Sequence, residues 1–183
     1  MVSTQKALVI IDVQNDYFKG GNMELYKAEE ASSNIQLVLE HFRKNNLPVV
    51  HVQHFNIAKG ATFFVPNTKG SEIHDSVKPK ENETLVTKNY PNSFRETKLH
   101  EILQNLKVTD LVIVGSMSHM CIDTSVRAAA DLGYNCTVLH DACATRDLEF
   151  NGKVVKAEDV QVAYMSALQF GFAKVISTQE YLK

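Results

Sequence analysis

Positive charge is not in surplus: 19 Lys and Arg stand against 21 Asp and Glu, for a formal net charge of −2. With a pI near 6.4, the chain has no basic field to hold nucleic acid or an anionic membrane. Long hydrophobic runs are also missing. Nothing approaches the roughly 20 consecutive apolar residues that span a bilayer. The opening Met1-Val-Ser-Thr-Gln-Lys6 enters a strand pattern without the layout of a secretion signal. Cysteine is scarce and odd in number: Cys121, Cys136 and Cys143, with no metal-like or redox CxxC spacing. Linkers, internal repeats and low-complexity stretches are absent too. These absences predict one domain over residues 1–183 in a reducing cytoplasm, with neither membrane nor nucleic acid as a partner.

What is present is an ordinary globular composition, 44% hydrophobic and 22% charged, arranged as alternating strands and helices. Apolar, β-branched runs predict strands over 7–11, 48–52, 84–87, 111–114, 135–140 and 173–177. The unbroken runs Ala7-Leu-Val-Ile-Ile11 and Leu111-Val-Ile-Val114 are those of strands buried on both faces. Helices are predicted over 28–46, from 93 to about 106, over 122–132 and over 157–170, with Gly133 and Gly171 as stops. Ser93-Phe-Arg-Glu96 has the spacing of a capping box, as does Ser177-Thr-Gln-Glu180 ahead of a short terminal helix. Residues 56–83 are polar and too long for a plain connection, which predicts a functional excursion. Together these elements imply a Rossmann-like, three-layer α/β/α sandwich around a mainly parallel sheet of about six strands. Right-handed crossovers gather the C-terminal strand ends along one edge, where such sheets bind ligands.

Three chemically capable residues fall on that edge. Asp12 ends the first strand, Lys88 follows the third, and Cys121 follows Gly115-Ser-Met-Ser-His-Met just before a helix. Unpaired backbone N–H groups and the positive end of the helix dipole there favour thiolate over thiol. A nearby carboxylate could take the thiol proton and return it to a leaving group. A lysine ammonium would hold both, and N–H groups of the 115–121 turn could receive an oxyanion. Each residue also has a plainer reading: a small buried hydrophobe for Cys121, a turn cap for Asp12, a solvated surface charge for Lys88. Spacing by itself leaves both readings standing.

The same residues carry a resemblance. The blocks are Leu8-Val-Ile-Ile-Asp12-Val-Gln-Asn-Asp16-Tyr-Phe18, Thr87-Lys88-Asn-Tyr-Pro-Asn-Ser93-Phe94 and Gly115-Ser-Met-Ser-His-Met-Cys121-Ile-Asp-Thr-Ser-Val-Arg127-Ala-Ala. A weaker one is Leu139-His-Asp141-Ala-Cys-Ala144-Thr145. In order and spacing the chain resembles the isochorismatase-like cysteine hydrolase superfamily over nearly its whole length. That group takes in isochorismatases, nicotinamidases and N-carbamoylsarcosine amidases. The resemblance implies Asp12 as general base, Lys88 as triad lysine and Cys121 as nucleophile. It also implies a cis Ser116–Met117 peptide that aims the N–H groups of Met117 and Cys121 into an oxyanion hole. The implied chemistry is attack of Cys121 on an amide-like carbonyl of a small molecule, loss of an amine, and hydrolysis of the resulting thioester. No organic cofactor is implied, and self-association as dimers or tetramers is. The isochorismatase branch cleaves a vinyl ether instead, and some of its members lack the cysteine, so the presence of Cys121 points to C–N hydrolysis.

Departures narrow this further. Nicotinamidases carry an Asp-x-His metal motif just after the second strand. Here the stretch is Val49-Val-His-Val-Gln-His54-Phe-Asn56, which sets His54 and Asn56 at those places. His51, His54 and His74 are imidazoles that could hold zinc. Strand alternation, however, points His51 and Gln53 one way and Val52 and His54 the other, and no carboxylate shares the spacing. No metal is expected. Phe18, Tyr90 and His119, beside the catalytic blocks, are pocket candidates. Phe63 and Phe64 in the excursion either line the same slot or pack in the core. Gln14 and Asp16 are expected to hold the first loop. Cys136 in a strand and Cys143 in a turn read as structural, and Asp123 with Arg127 as an i,i+4 ion pair. Two rival readings keep the fold without hydrolysis: a thiol redox protein, which would want a resolving cysteine, and a pure binding module.

Overall fold

The structure, a computed structural model, describes residues 5–183. Its strands are β1 (Gln5–Ile11), β2 (Val49–His54), β3 (Thr84–Lys88), β4 (Val108–Ser116), β5 (Asn135–Ala144), β6 (Leu148–Phe150), β7 (Lys153–Val155) and β8 (Ala173–Ile176). Six of them form one sheet, ordered β3-β2-β1-β4-β5-β8, and every pairing in it is parallel. The sheet is covered on both faces, as apolar strands of this kind require. Along β1, Ala7, Val9 and Ile11 enter one core, while Leu8 and Ile10 enter the other. Helices α2 (Leu99–Asn105), α3 (Asp123–Asp131) and α4 (Ala157–Gly171) bury Leu103, Val126 and Leu168 in the first core. Helix α1 (Ala28–Lys44) buries Ile35, Leu39 and Phe42 in the second, and Tyr181 of α5 (Thr178–Leu182) packs against it. These layers are the α/β/α sandwich expected from the alternation. Among the described residues, no helix is long and apolar enough to cross a membrane.

Several local expectations are corrected. The Ser93 capping box does not form. Helix α2 begins only at Leu99, because Glu96 takes a left-handed φ of 55° and the Ser93 hydroxyl is engaged by Ser125 Oγ at 2.8 Å. By contrast, Ser177 and Glu180 do form the reciprocal cap of α5. Strand β5 runs past residue 140 to Ala144, so Cys143 lies in a strand and not in a turn. The cause is a bulge: Ile113 faces Val138 while Gly115 faces Cys143, so β5 carries extra residues against β4. The β6–β7 hairpin was not expected. Its signal is the dipeptide Asn151-Gly152, both at positive φ (51° and 74°), the usual tight hairpin turn.

Two features place the functional edge. The excursion after β2 contains two single 3-10 turns, Lys69–Ser71 and Asp75–Val77, and folds back over the end of β1. There Asn15 N–H donates to Glu72 O, and His74 N–H to Val13 O. At the end of β4, Gly115 has φ 123°, and a Cβ there would collide with the Ile11 carbonyl oxygen. Only glycine lets the end of β4 close on the end of β1.

Candidate active site

Four parallel strand ends converge on one point. Asp12 follows β1 with φ 53°, and its N–H donates to Val52 O at 3.0 Å. His54 and Lys88 end neighbouring strands and are register partners. After β4 the Ser116–Met117 peptide is cis, and a π-helical turn, Ser118–Ile122, carries Cys121 into α3. That turn is tied from inside and behind. The Met117 carbonyl accepts from Met120 N and Ile122 N at 3.0 and 3.1 Å, and the Ser118 hydroxyl donates to Gln161 Oε1 at 2.6 Å.

Lys88 is the hub. Its Nζ lies 2.8 Å from Asp12 Oδ2, 3.0 Å from His54 Nδ1 and 3.2 Å from Cys121 Sγ. It also reaches the Tyr90 and Pro91 carbonyls, at 3.1 and 3.5 Å. Asp12, Lys88 and Cys121 are 0%, 2% and 3% exposed. In such a setting charges survive only in company. Burial alone would raise the Asp12 pKa, but the Lys88 ammonium outweighs it and leaves it below the ordinary carboxylate value. Burial would lower Lys88, but Asp12 and Cys121 outweigh it and leave the ammonium more firmly protonated than usual. Cys121 goes the other way: burial and then the Asp12 charge push its pKa well up, with only Lys88 opposing. These directions favour an ionised Asp12, a cationic Lys88 and a protonated thiol at rest. They run against the thiolate that the helix end alone would favour, because burial beside a carboxylate opposes it. Apart from the Lys88 contact at Oδ2, neither Asp12 carboxylate oxygen has a hydrogen-bond partner among the described residues, so Oδ1 is available to accept a proton.

The histidines do not assemble into a zinc site. His51 Nε2 lies 2.9 Å from Glu83 Oε2, and His74 stacks on Phe18 with ring centroids 3.7 Å apart. Only His54 is at the site. Asp12, His54 and Cys121 do hold ligand atoms within 4.8 Å of one another, a grouping with metal-like donors. All three, however, already surround the Lys88 ammonium, whose positive charge stands where a divalent cation would sit. The donor set does not fit a metal.

The other candidates take varied places. Gln14, fully buried, accepts from His54 N at 2.7 Å and donates to His54 O and Ser71 O at 2.9 and 2.8 Å. Asp16 accepts from Phe64 N at 2.6 Å and Asn22 N at 3.1 Å. Phe64 is buried with its ring 5.9 Å from that of His54, while Phe63 is half-buried and packs on Phe64 and Tyr17. Phe18 is buried under His74. Tyr90 offers its carbonyl to Lys88, and its ring carries Arg95 at 3.7 Å. His119 Nδ1 shares a 2.6 Å hydrogen bond with Thr145 Oγ1. Burial pushes the Cys136 and Cys143 thiols up to about 12, and Arg127 pairs with Asp123 at 2.9 Å. Sequence reasoning placed His54 only among possible metal ligands and missed it as a member of the cluster with Asp12, Lys88 and Cys121. The signal was available, since it ends a strand on the same edge as Asp12 and Lys88.

The isochorismatase domain family matches residues 6–180 of this chain. The chain belongs to that family. It is 50% identical to the uncharacterized isochorismatase family protein YddQ of Bacillus subtilis (strain 168), over 97% of this chain and 98% of that protein. It superposes on the crystal structure of an Oleispira antarctica chain assigned to the isochorismatase hydrolases with a TM-score of 0.95. The identity there is 48%, with 100% of this chain and 98% of that one covered. More distantly, it is 33% identical to a streptothricin hydrolase of Streptomyces noursei over 78% of this chain and 51% of that protein. It is 25% identical to nicotinamidase 3 of Arabidopsis thaliana over 93% and 83%. The protein is thus an isochorismatase-family hydrolase, related to enzymes of both kinds.

Proposed function

We propose that this isochorismatase-family protein is a cysteine amidase that cleaves a C–N bond of a small amide-like molecule with Asp12, Lys88 and Cys121. The observation that carries the reading is one ammonium, Lys88 Nζ, held at 2.8 Å from a buried carboxylate and 3.2 Å from a buried thiol. Asp12 takes the thiol proton as Sγ attacks the carbonyl carbon. The oxyanion forms against the N–H groups of Met117 and Cys121, on either side of the tied turn. Asp12 then hands its proton to the departing nitrogen, the C–N bond breaks, and a thioester remains on Cys121. Water, deprotonated by Asp12, attacks the thioester. The second tetrahedral species collapses to the carboxylic acid and the thiol. Lys88 keeps Asp12 ionised at rest and balances the negative charge as it passes to sulfur and oxygen. Kinship with a nicotinamidase supports an amide as substrate.

The test is ammonia or amine release from nicotinamide, carbamoylated amino acids, lactams and ureides, with Cys121→Ala alongside. Turnover of at least one compound, lost in the variant and accompanied by an acyl adduct on Cys121 by intact mass, is the expected result. Equal turnover in the variant would overturn the mechanism.

A further inference from the structure

His54 is the member of the cluster most open to solvent. Its side chain is 14% exposed, against 0% for those of Asp12 and Lys88. Its backbone is clamped by Gln14 at both N–H and carbonyl, and its ring lies 5.9 Å from the buried ring of Phe64. The orientation of the ring is therefore set from two sides. Its Nδ1 lies 3.0 Å from Lys88 Nζ. Asp12 Oδ2, at 3.7 Å from the same nitrogen, lies beyond hydrogen-bond reach; an ammonium has only donors, so in the Lys88 contact Nδ1 is the acceptor, and an imidazole that accepts at Nδ1 carries its proton on Nε2. Nε2 has no protein partner among the described residues, and it is not among the buried polar atoms left unpaired. The ring thus presents a fixed N–H donor to whatever approaches from solvent. With Nδ1 at 4.0 Å from Cys121 Sγ, that approach lies within one small molecule of the attacking atom.

Resting on the amidase reading, we infer that His54 is a specificity-determining residue whose Nε2–H selects amides carrying a second carbonyl oxygen close to the scissile one. The scissile oxygen itself is met by the backbone N–H groups of the Cys121 turn. A donor on the facing strand end then finds its acceptor a few bonds away along the substrate. Amides with only an alkyl chain there leave Nε2–H without a partner once water is displaced, which costs affinity in the transition state.

The experiment has two arms. In the first, long-range 1H–15N spectra of the resting protein report the tautomer of His54, its signal assigned by loss in His54→Gln. A proton on Nε2 with none on Nδ1 is expected, and a proton on Nδ1 overturns the inference whatever the activity. In the second, kcat/KM is compared for malonamide and butyramide, similar in length but with and without a second carbonyl. Wild type should prefer malonamide by about tenfold, the scale of one hydrogen bond. His54→Gln places an amide N–H near the position of Nε2 and should keep most of that preference. His54→Asn replaces only the Nδ1 acceptor, so its ratio of malonamide to butyramide kcat/KM should fall to near one, whatever loss of turnover the two substrates share. Equal preference in all three proteins assigns His54 to support of Lys88 alone and overturns the inference. Turnover of other amides but of neither probe also overturns it, leaving the amidase reading intact. Silence on every amide with no adduct on Cys121 sinks both.

Discussion

Gln14 and His54 are joined through both ends of one amide: His54 N–H donates to Gln14 Oε1 at 2.7 Å, and Gln14 Nε2 donates to the His54 carbonyl at 2.9 Å. A side chain thus plays the part of a neighbouring strand at the end of β2. Gln14→Ala removes the partners of two part-buried backbone groups, the His54 N–H and carbonyl, while Ser71 O keeps Gln53 Nε2 at 2.8 Å. Each orphaned group costs about 1–3 kcal/mol. A lowered urea midpoint with a parallel loss of turnover is expected. An unchanged midpoint would show that water replaces the side chain without cost.

Lys88→Met leaves the Asp12 carboxylate buried without its counter-ion, which destabilises by about 3–5 kcal/mol. The double variant Asp12→Asn/Lys88→Met removes both charges and should recover much of that loss. Chemical denaturation of the four proteins decides it, and strict additivity would argue against a coupled pair. The sign with pH follows from the shifts. Asp12 is lowered in the fold, so its contribution is present above the unfolded value and lost as pH falls through the folded one. Lys88 is raised, so its contribution is present below the unfolded value and lost as pH climbs through the folded one. Stability should fall off at both acid and alkaline ends, and the double variant should flatten both.

Cys121 should react slowly with iodoacetamide at neutral pH and faster as pH rises, because its thiol is held protonated by burial and by Asp12. Asp12→Asn removes the second cause. That variant should turn over substrate at least about 10²-fold more slowly, the scale of a lost acid–base group, yet be alkylated faster at neutral pH. Mass-spectrometric labelling rates give the answer, and slower labelling in Asp12→Asn would contradict the charge assignment.

Gly115→Ala should be among the most disruptive single substitutions on this edge. The new methyl meets the Ile11 carbonyl at a φ of 123°, so the end of β4 must withdraw from β1 and carry the Cys121 turn away from Asp12. Loss of turnover together with a lowered melting temperature is expected. Full activity would mean that the two strand ends need not touch.

The meeting of Asp12, Lys88 and Cys121 was legible because the first two follow or end strands and the third lies in the turn after β4, and parallel topology brings such ends together. The same reasoning reaches His54, which pairs in register with Lys88, but a histidine ending a strand has too many ordinary uses to stand out. The charge state of Cys121 was misread because a helix end is visible in a sequence while burial beside Asp12 is not. The β5 bulge escaped notice because Asp141-Ala-Cys-Ala144 reads equally as turn or strand, and only the facing Gly115 decides. Asn151-Gly152 is a sequence signal for a tight hairpin turn.

Lys88 has three N–H groups and five acceptors within reach: Asp12, His54, Cys121 and the carbonyls of Tyr90 and Pro91. It is oversubscribed, with three N–H groups shared among five acceptors. When negative charge migrates from carboxylate to sulfur, the ammonium can follow by turning about its own terminal bond, with no heavy atom travelling. A rotor of this kind makes the reorganisation that accompanies charge transfer small, which is what a preorganised site achieves by being rigid everywhere else.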